Sequence, residues 1–201
     1  MIAQILFHIH GMKSEMPHIA IISSSVRVGR TSHRVALYFE NYVQKTNRAT
    51  AEILDLSIYQ FPLFDERLKY QPSPSPDVLD FADRIKKADG VIIVTPEYNG
   101  GYPASIKNVI DLLYAEWHHK PIAISTVSDG SFGGTQVIYS LLFTLWKMHA
   151  WVIPAMFPVP NVADAFSEDG HPVKPSTDER ARIFMDEFFW CIKAKTRMDD
   201  L

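Results

Sequence analysis

The chain is short of the features that mark several protein classes. Its 201 residues contain one cysteine, Cys191, and its 20 basic residues nearly balance its 23 acidic ones. A single cysteine excludes an intrachain disulfide, and apolar runs far shorter than the ~20 residues of a membrane helix exclude an integral membrane protein. A net charge of -3 without blocks of like charge argues against nucleic-acid binding. The sequence therefore predicts one soluble globular domain.

The first 17 residues differ from the rest of the chain. Strand character begins near His18, so residues 1–17 are predicted to form a disordered extension before a single domain of residues 18–201. The apolar opening is interrupted by His8 and His10 and lacks a basic leader and a small-residue cleavage site. No secretory signal is therefore expected, and the predicted location is cytoplasmic. Met12 and Met16 stay open as alternative starts.

From His18 onward, short apolar runs alternate with longer segments of helical period, which is typical of βαβ units around a parallel sheet. The run at residues 90–95 is rich in β-branched residues and has no polar alternation, which favours the centre of a sheet covered on both faces. The sequence predicts an α/β fold with one parallel sheet. Its five strands are predicted at residues 19–22, 51–56, 90–95, 121–127 and 151–153.

Five helices are predicted between and after the strands. Pro76 and Pro103 open two of them, and Ser176 with Glu179 forms a capping box for the last. Residues 155–175 are predicted to be an irregular crossover, and Cys191 to be inert core. The residues expected to face inward from the last two helices are Val137, Leu141, Leu142, Leu145, Met148, Ile183, Phe184, Phe188 and Ile192.

The loop after the first strand has the composition of a phosphate site. In an open parallel sheet, ligands bind beyond the carboxyl ends of the strands, where the strand order reverses. Residues 23–32 bring hydroxyls, Arg27, Arg30 and backbone amides to the start of a helix, which suits a phosphate. A solvated, serine-capped loop is the alternative, because neither GxGxxG nor GxxxxGK occurs in the chain.

Two further loops contain prolines or glycines that determine the conformation of their backbone. Residues 95–103 read TPEYNGGYP, in which two prolines bracket Gly100 and Gly101. Glycines there allow positive φ or the close approach of a flat ligand, although a plain strand-to-helix turn is the alternative. Residues 125–134 mix small polar residues with glycine and are placed to complete a pocket wall.

Three motifs carry a resemblance to a known family. They are SVRVGR at residues 25–30, TPEYNGGYP followed by Lys107, Asn108 and Asp111, and SDG at residues 128–130 with Gly133 and Gly134. Together they resemble the NADPH-dependent FMN reductase family over roughly residues 18–160. The resemblance implies a three-layer flavodoxin-like fold with strand order 2-1-3-4-5, bound FMN, and a homodimer or homotetramer.

The resemblance also implies roles for individual residues. The FMN phosphate is expected among Ser25, Arg27, Thr31 and Ser32, with Arg30 nearby. The isoalloxazine ring is expected on Pro96, Glu97, Tyr98 and Asn99, with Ser128 and Gly130 closing the other side. Glu97 is expected to turn its side chain away from the ring and to offer its backbone.

Two departures from the family pattern fall in the first loop. Relatives usually carry Gly-Ser where this chain has Ser24-Ser25, which bears on how closely the backbone approaches the phosphate. Many relatives carry serine at the position of Arg30, so Arg30 or Arg34 is an alternative contact for a dinucleotide phosphate.

The implied activity is ping-pong hydride transfer from NADPH or NADH to flavin N5 and on to a small acceptor. A flavin, a quinone, an azo compound and a metal oxyanion all stay open as the acceptor, as does the preference between the two nucleotides. Because the flavin carries the hard step, no side chain is assigned as a catalytic acid or base.

Proteins of other classes are alternatives to the enzyme. A flavodoxin-type FMN electron carrier without nicotinamide turnover is the main alternative, but such carriers dock through strongly acidic faces and a net charge of -3 is mild. A relative that has lost turnover also stays open. No metal site is predicted, because HExxH and CxxC are missing, and GxSxG, the mark of a serine hydrolase, is missing too. Trp117 and Tyr114 are candidates for a subunit interface.

Overall fold

The computed structural model describes residues 16–199. The predicted extension, residues 1–17, lies outside this range except for its last two positions. The elements follow in the order β1 His18–Ser23, α1 His33–Thr46, β2 Thr50–Asp55, α2 Pro76–Lys87, β3 Gly90–Pro96, α3 Ala104–Leu112, β4 Pro121–Val127, α4 Val137–Lys147, β5 Trp151–Met156, α5 Val162–Ala165 and α6 Ser176–Asp199. All five predicted strands and all five predicted helices are present, and α5 lies in the segment predicted to be irregular.

The five strands form one parallel sheet in the order β2-β1-β3-β4-β5. This confirms the predicted fold class. Every residue of β3 is buried, as expected for a strand that has neighbours on both edges and helices on both faces. In the register of β1 with β2, Ser23 lies opposite Asp55, so the ends of these two strands are level.

The helices cover the two faces of the sheet with different cores. One face, under α1 and α6, is rich in aromatic rings that include Tyr38, Phe39, Phe157 and Phe184. The other face, under α2, α3 and α4, is mainly aliphatic and holds Trp117. Helix, sheet and helix thus form three layers, the arrangement that lets both faces of a parallel sheet be buried.

Local signals explain where several helices begin. Pro76 occupies the first turn of α2, and the Ser75 hydroxyl accepts a hydrogen bond from the Val78 N–H at 3.4 Å. Ser176 of the predicted capping box is instead the first residue of α6. None of the helices in the described part of the chain is both long and apolar enough to cross a bilayer.

Two of the core predictions and one interface prediction are wrong. Leu142 of α4 is 37% exposed and Ile183 of α6 is 58% exposed, because the neighbours that face the sheet, such as Leu141 and Phe184, lie about 100° away around the helix. Trp117 is fully buried inside the chain, where its indole N–H donates to the Ile110 carbonyl at 3.2 Å. Trp117 is therefore core and not an interface residue.

Candidate functional site

A cleft lies at the carboxyl ends of the strands, where the chain order changes direction between β1 and β3. The loops that follow β1, β3 and β4 converge on it and enclose a volume of about 170 Å³. Its lining consists of Ser25, Arg27, Gly29, Arg30, Thr31, Ser32, Pro96, Glu97, Tyr98, Val127, Ser128, Asp129 and Val162.

The loop after β1 presents backbone donors at the start of α1. The N–H groups of Arg34 and Val35 donate to the Thr31 and Ser32 carbonyls, both at 3.1 Å. The N–H groups of Thr31, Ser32 and His33 have no acceptor within residues 16–199, and no side chain caps the helix. Open N–H groups and the positive end of the helix dipole favour an anion at this position.

In this loop the Arg27 side chain has no ion-pair partner among the described residues, whereas the Ser25 and Arg30 side chains already have partners within the protein. Arg27 is exposed on the cleft, and it has no ion-pair partner in the part of the chain that the structure describes. Ser25 is buried, and its hydroxyl lies 2.6 Å from the Tyr98 hydroxyl. Arg30 lines the cleft, but its guanidinium forms a bidentate ion pair with Asp55 at the end of β2.

Ser24 does not narrow the cleft. Its side chain is fully buried, and Ser24 is not part of the cleft lining. Its N–H donates to the Val94 carbonyl at 3.1 Å, and its carbonyl accepts from the Ser105 hydroxyl. The Ser24 side chain therefore points into the protein.

The loop after β3 is a tight hairpin turn. Tyr98 and Gly101 exchange two backbone hydrogen bonds of 2.8 and 3.1 Å, and the two residues between them both have positive φ, 52° for Asn99 and 80° for Gly100. Asn-Gly is the sequence that such a turn requires. The N–H groups of Asn99 and Gly100 have no acceptor within the described residues, so they are the donors that this loop offers to a ligand.

Glu97 links this turn to α4. Its carboxylate accepts from the Gln136 N–H at 3.3 Å, next to the first turn of α4, where a helix dipole stabilises negative charge. The Glu97 N–H donates to the Val127 carbonyl at 3.2 Å. The side chain is thus engaged by the helix, and the backbone N–H is already satisfied within the protein.

The loop after β4 closes the third side. The Ser128 hydroxyl donates to the Gly130 carbonyl at 2.9 Å, and the Ser128 N–H donates to the Val159 carbonyl at 3.0 Å. Gly134 has φ of 72°, and a Cβ there would lie 2.9 Å from the Val127 carbonyl oxygen. Only glycine lets this loop pass so close to the end of β4.

The cleft gathers most of the residues expected from the sequence. Asn99 and Gly130 lie outside its lining, while Gly29, Val127, Asp129 and Val162 were not anticipated in it. Val162 belongs to α5, which the sequence did not reveal because its segment is proline-rich and has too few residues for a periodic pattern. Asp55 was also missed, although a carboxylate at the end of the strand next to β1 was a usable signal.

This donor set fits FMN. A phosphate needs several donors and positive charge, which the start of α1 and Arg27 provide. A flavin ring needs donors for its carbonyl and nitrogen acceptors beside an apolar wall. Pro96 and Val127 line the cleft, and the open N–H groups of the Asn99–Gly100 turn follow Pro96 in the same loop. For metals, no group of three or more histidine, cysteine or acidic side chains with metal-binding geometry occurs among residues 16–199.

Comparison with known proteins gives the same assignment. The family model described as NADPH-dependent FMN reductase matches residues 17–164. An NAD(P)H-dependent FMN reductase of Saccharomyces cerevisiae is 34% identical over 59% of this chain and 68% of its own length. A quinone reductase of Escherichia coli is 34% identical over 70% of this chain and 75% of its own length.

A solved structure agrees with the fold. The flavoenzyme NAD(P)H:(acceptor) oxidoreductase FerB of Paracoccus denitrificans superposes with a TM-score of 0.73 and 25% identity, over 89% of this chain and 98% of FerB. The chain therefore belongs to the NADPH-dependent FMN reductase family, which makes it an oxidoreductase that uses FMN and NAD(P)H.

Proposed function

We propose that this protein passes hydride from NADPH or NADH to FMN held in the cleft, and then to a small acceptor in a ping-pong sequence. The observation that carries the proposal is the convergence of three loops on one cleft. Exposed Arg27 and open N–H groups at the start of α1 come from one loop, and Pro96, Glu97 and Tyr98 come from the loop that continues into the Asn99–Gly100 turn. The names of the relatives, FMN reductase and quinone reductase, support flavins and quinones as acceptors, and azo compounds and metal oxyanions stay open.

The phosphate and the ring of FMN are assigned to opposite ends of the cleft. Ser25, Arg27, Thr31 and Ser32 are proposed to hold the phosphate, with Arg30 beside them. Pro96, Glu97 and Tyr98 of the lining are proposed to support the ring, together with Asn99 next to them. Ser128 of the lining, with Gly130 hydrogen-bonded to it, is proposed to close the other side. The charge, the open N–H groups and the turn described above support this orientation.

When bound, FMN supplies the redox chemistry, because its N5 can take hydride from a nicotinamide and release it to an acceptor that occupies the same place. The protein positions the cofactor, and no side chain is assigned to move a proton. The Glu97 carboxylate is held by the Gln136 N–H. That contact keeps a negative charge engaged by α4 and limits its repulsion of a reduced, anionic ring.

Anaerobic reduction of the FMN-loaded protein tests the proposal. We expect the purified protein to bind FMN and to lose the flavin absorbance rapidly with NADPH or NADH. Adding a quinone or free flavin should then restore the absorbance in a second, separable phase. Slow bleaching by both nucleotides would contradict the proposal and favour an electron carrier. A protein that binds no flavin would remove it altogether.

The oligomer proposed for this protein would form through α4. Four apolar side chains at positions i, i+3, i+4 and i+7 face outward on this helix: Tyr139, Leu142, Phe143 and Trp146, which are 87%, 37%, 63% and 66% exposed. Such a stripe is unusual on a monomer surface and suits a second copy of the chain.

Light scattering on one interface variant tests this assembly. Trp146→Glu should lower the molar mass from that of a dimer or tetramer to that of a smaller species. Trp190→Glu, which changes an equally exposed tryptophan on α6, should leave the mass unchanged. A monomeric wild-type protein would contradict the proposal.

The cytoplasmic location stays a prediction.

A further inference from the structure

Arg30 lines the cleft, but its guanidinium is already hydrogen-bonded within the protein. Its two terminal nitrogens donate to the two carboxylate oxygens of Asp55, and Nη1 also donates to the Ser25 carbonyl at 2.6 Å. The side chains of Arg30 and Asp55 are only 17% and 8% exposed. The fork that a guanidinium uses to clamp a phosphate is therefore already used within the protein.

Asp55 is itself fully engaged. Its Oδ1 accepts from the Ser57 N–H and the Ser57 hydroxyl, each at 3.0 Å, in addition to Arg30. Burial alone would raise the pKa of Asp55, but the hydrogen bonds from Arg30 and Ser57 outweigh it and hold that pKa below its ordinary value. If Arg30 turned to a phosphate, an ionised and buried carboxylate would lose its counter-charge, which is strongly unfavourable.

The ion pair also fixes the shape of the loop. Through the Ser25 carbonyl, Arg30 ties the start of the loop to the end of β2. The Arg30 N–H closes a turn onto the Arg27 carbonyl at 3.3 Å. With this turn closed, Arg27 remains exposed on the cleft, and Thr31 and Ser32, whose N–H groups are open, line the same cleft.

We propose that Arg30 is a positioning residue, which acts on FMN only through its ion pair with Asp55 and does not itself bind the phosphate. The proposal rests on the proposed function, because it takes FMN as the occupant of the cleft. It assigns Arg27 and the α1 N–H groups as the phosphate contacts, and Asp55 as a residue on which FMN affinity depends although it does not line the cleft.

A double-mutant cycle with FMN and riboflavin separates positioning from direct contact. Arg30→Met and Asp55→Asn should each weaken FMN binding by about 10-fold, and the double variant should be no weaker than the weaker single variant. Riboflavin, which lacks the phosphate, should bind all four proteins within about twofold, because the effect is confined to the phosphate loop. Dissociation constants come from the quenching of flavin fluorescence.

Two results would overturn the proposal. The first is that Arg30→Met costs as much FMN affinity in the Asp55→Asn background as in the wild type. The second is that Asp55→Asn strengthens FMN binding, as expected if it frees Arg30 for the phosphate. Arg30→Lys serves if Arg30→Met does not fold. It keeps the charge but loses the fork, so it should bind FMN as weakly as Arg30→Met, and full rescue by lysine would also contradict the proposal.

Arg34 provides the matched control. It lies four residues further along and donates to the Ala163 and Phe166 carbonyls instead of Asp55. Arg34→Met should change FMN affinity equally with and without Asp55. A wild-type protein that binds FMN no better than riboflavin would refute the proposed function together with this inference. If the wild-type protein binds FMN more tightly than riboflavin, but the losses of affinity from Arg30→Met and Asp55→Asn add in the double variant, only the inference would be refuted.

Discussion

The two ends of the cleft are built from different parts of the polypeptide. The end proposed to bind the FMN phosphate, called the phosphate end, comprises residues 24–32 and the start of α1. Besides backbone hydrogen bonds, it depends on two side-chain contacts, the Arg30–Asp55 pair and the Ser23 hydroxyl 3.0 Å from His33 Nδ1. The end proposed to bind the flavin ring, called the ring end, comprises residues 96–101 and 128–134. It is held mainly by backbone hydrogen bonds and by residues with positive φ. Side-chain contacts therefore contribute more to the structure of the phosphate end, and backbone conformation contributes more to that of the ring end.

The difference bears on which substitutions each end tolerates. At the phosphate end, removing the exposed charge of Arg27 should alter FMN affinity while the fold survives, because this side chain lies at the surface. At the ring end, a change of side chain should have little effect on FMN affinity or on the fold unless it alters φ or fills the space between two backbone segments.

The largest effect is expected at the ring end, for Gly134→Ala. The added Cβ would lie 2.9 Å from the Val127 carbonyl oxygen at φ of 72°. Strain in the left-handed region and overpacking together should lower the free energy of unfolding by about 2–4 kcal/mol. Urea denaturation measures the loss.

Gly130→Ala is the matched control in the same loop. There the nearest atom to an added Cβ is the Ser128 hydroxyl at 3.9 Å, an ordinary contact. This variant should unfold within about 0.5 kcal/mol of the wild type. Equal losses for the two glycines would show that the close approach to Val127 is not what limits this loop.

The next effect is expected at the phosphate end, for Arg27→Ala. Losing a charge-assisted contact should weaken FMN binding by about 1.5–3 kcal/mol, roughly 10- to 150-fold. The urea midpoint should hardly change, because Arg27 is exposed and unpaired in the described part of the chain. Titration with riboflavin is the control. Equal losses for riboflavin and FMN would place Arg27 away from the phosphate.

The strands were predictable because burial on both faces leaves a compositional mark. The β-branched run of β3 shows it directly, and the Asn-Gly pair in TPEYNGGYP marks a turn that the structure contains. An ion pair between side chains that are far apart in the sequence leaves no such mark in the composition. Arg30 and Asp55 are 25 residues apart, and only the register of β1 with β2 brings them together.

The errors have the same origin. Leu142 is as apolar as Leu141, and what distinguishes them is the position of the sheet relative to α4. The sequence likewise shows two arginines in the first loop but not that one of them is already paired. Composition therefore predicts what a loop can bind, and tertiary structure decides which residue is free to bind it.

A smaller effect at the ring end separates backbone from side chain. Asn99 has φ of 52°, which asparagine tolerates and alanine does not. Asn99→Ala should lower the free energy of unfolding by about 1 kcal/mol, whereas Asn99→Gly should be nearly neutral. FMN affinity should follow the same order if the turn offers only its backbone. A clear loss of affinity in Asn99→Gly would instead show that the amide side chain contacts the ring.

The smallest effect is a pH dependence at the phosphate end. Burial lowers the pKa of His33 below 6.5, with Asp55 opposing and Arg30 adding to the shift. Between the lowered value and 6.5, the unfolded chain therefore binds more protons than the folded one, so the free energy of unfolding rises with pH across that window. The contribution of neutral His33 to the free energy of unfolding is fully present above pH 6.5 and is lost as the pH falls through the pKa of His33 in the folded state.

Urea titrations at several values between about pH 5 and 8 measure this slope. His33→Gln keeps a hydrogen-bonding side chain for Ser23 and should flatten the curve. His171→Gln, which changes an exposed histidine, should leave it as in the wild type. If His33→Gln keeps the full slope, another group near the phosphate loop titrates, and the phosphate end owes its pH dependence to neighbours other than this histidine.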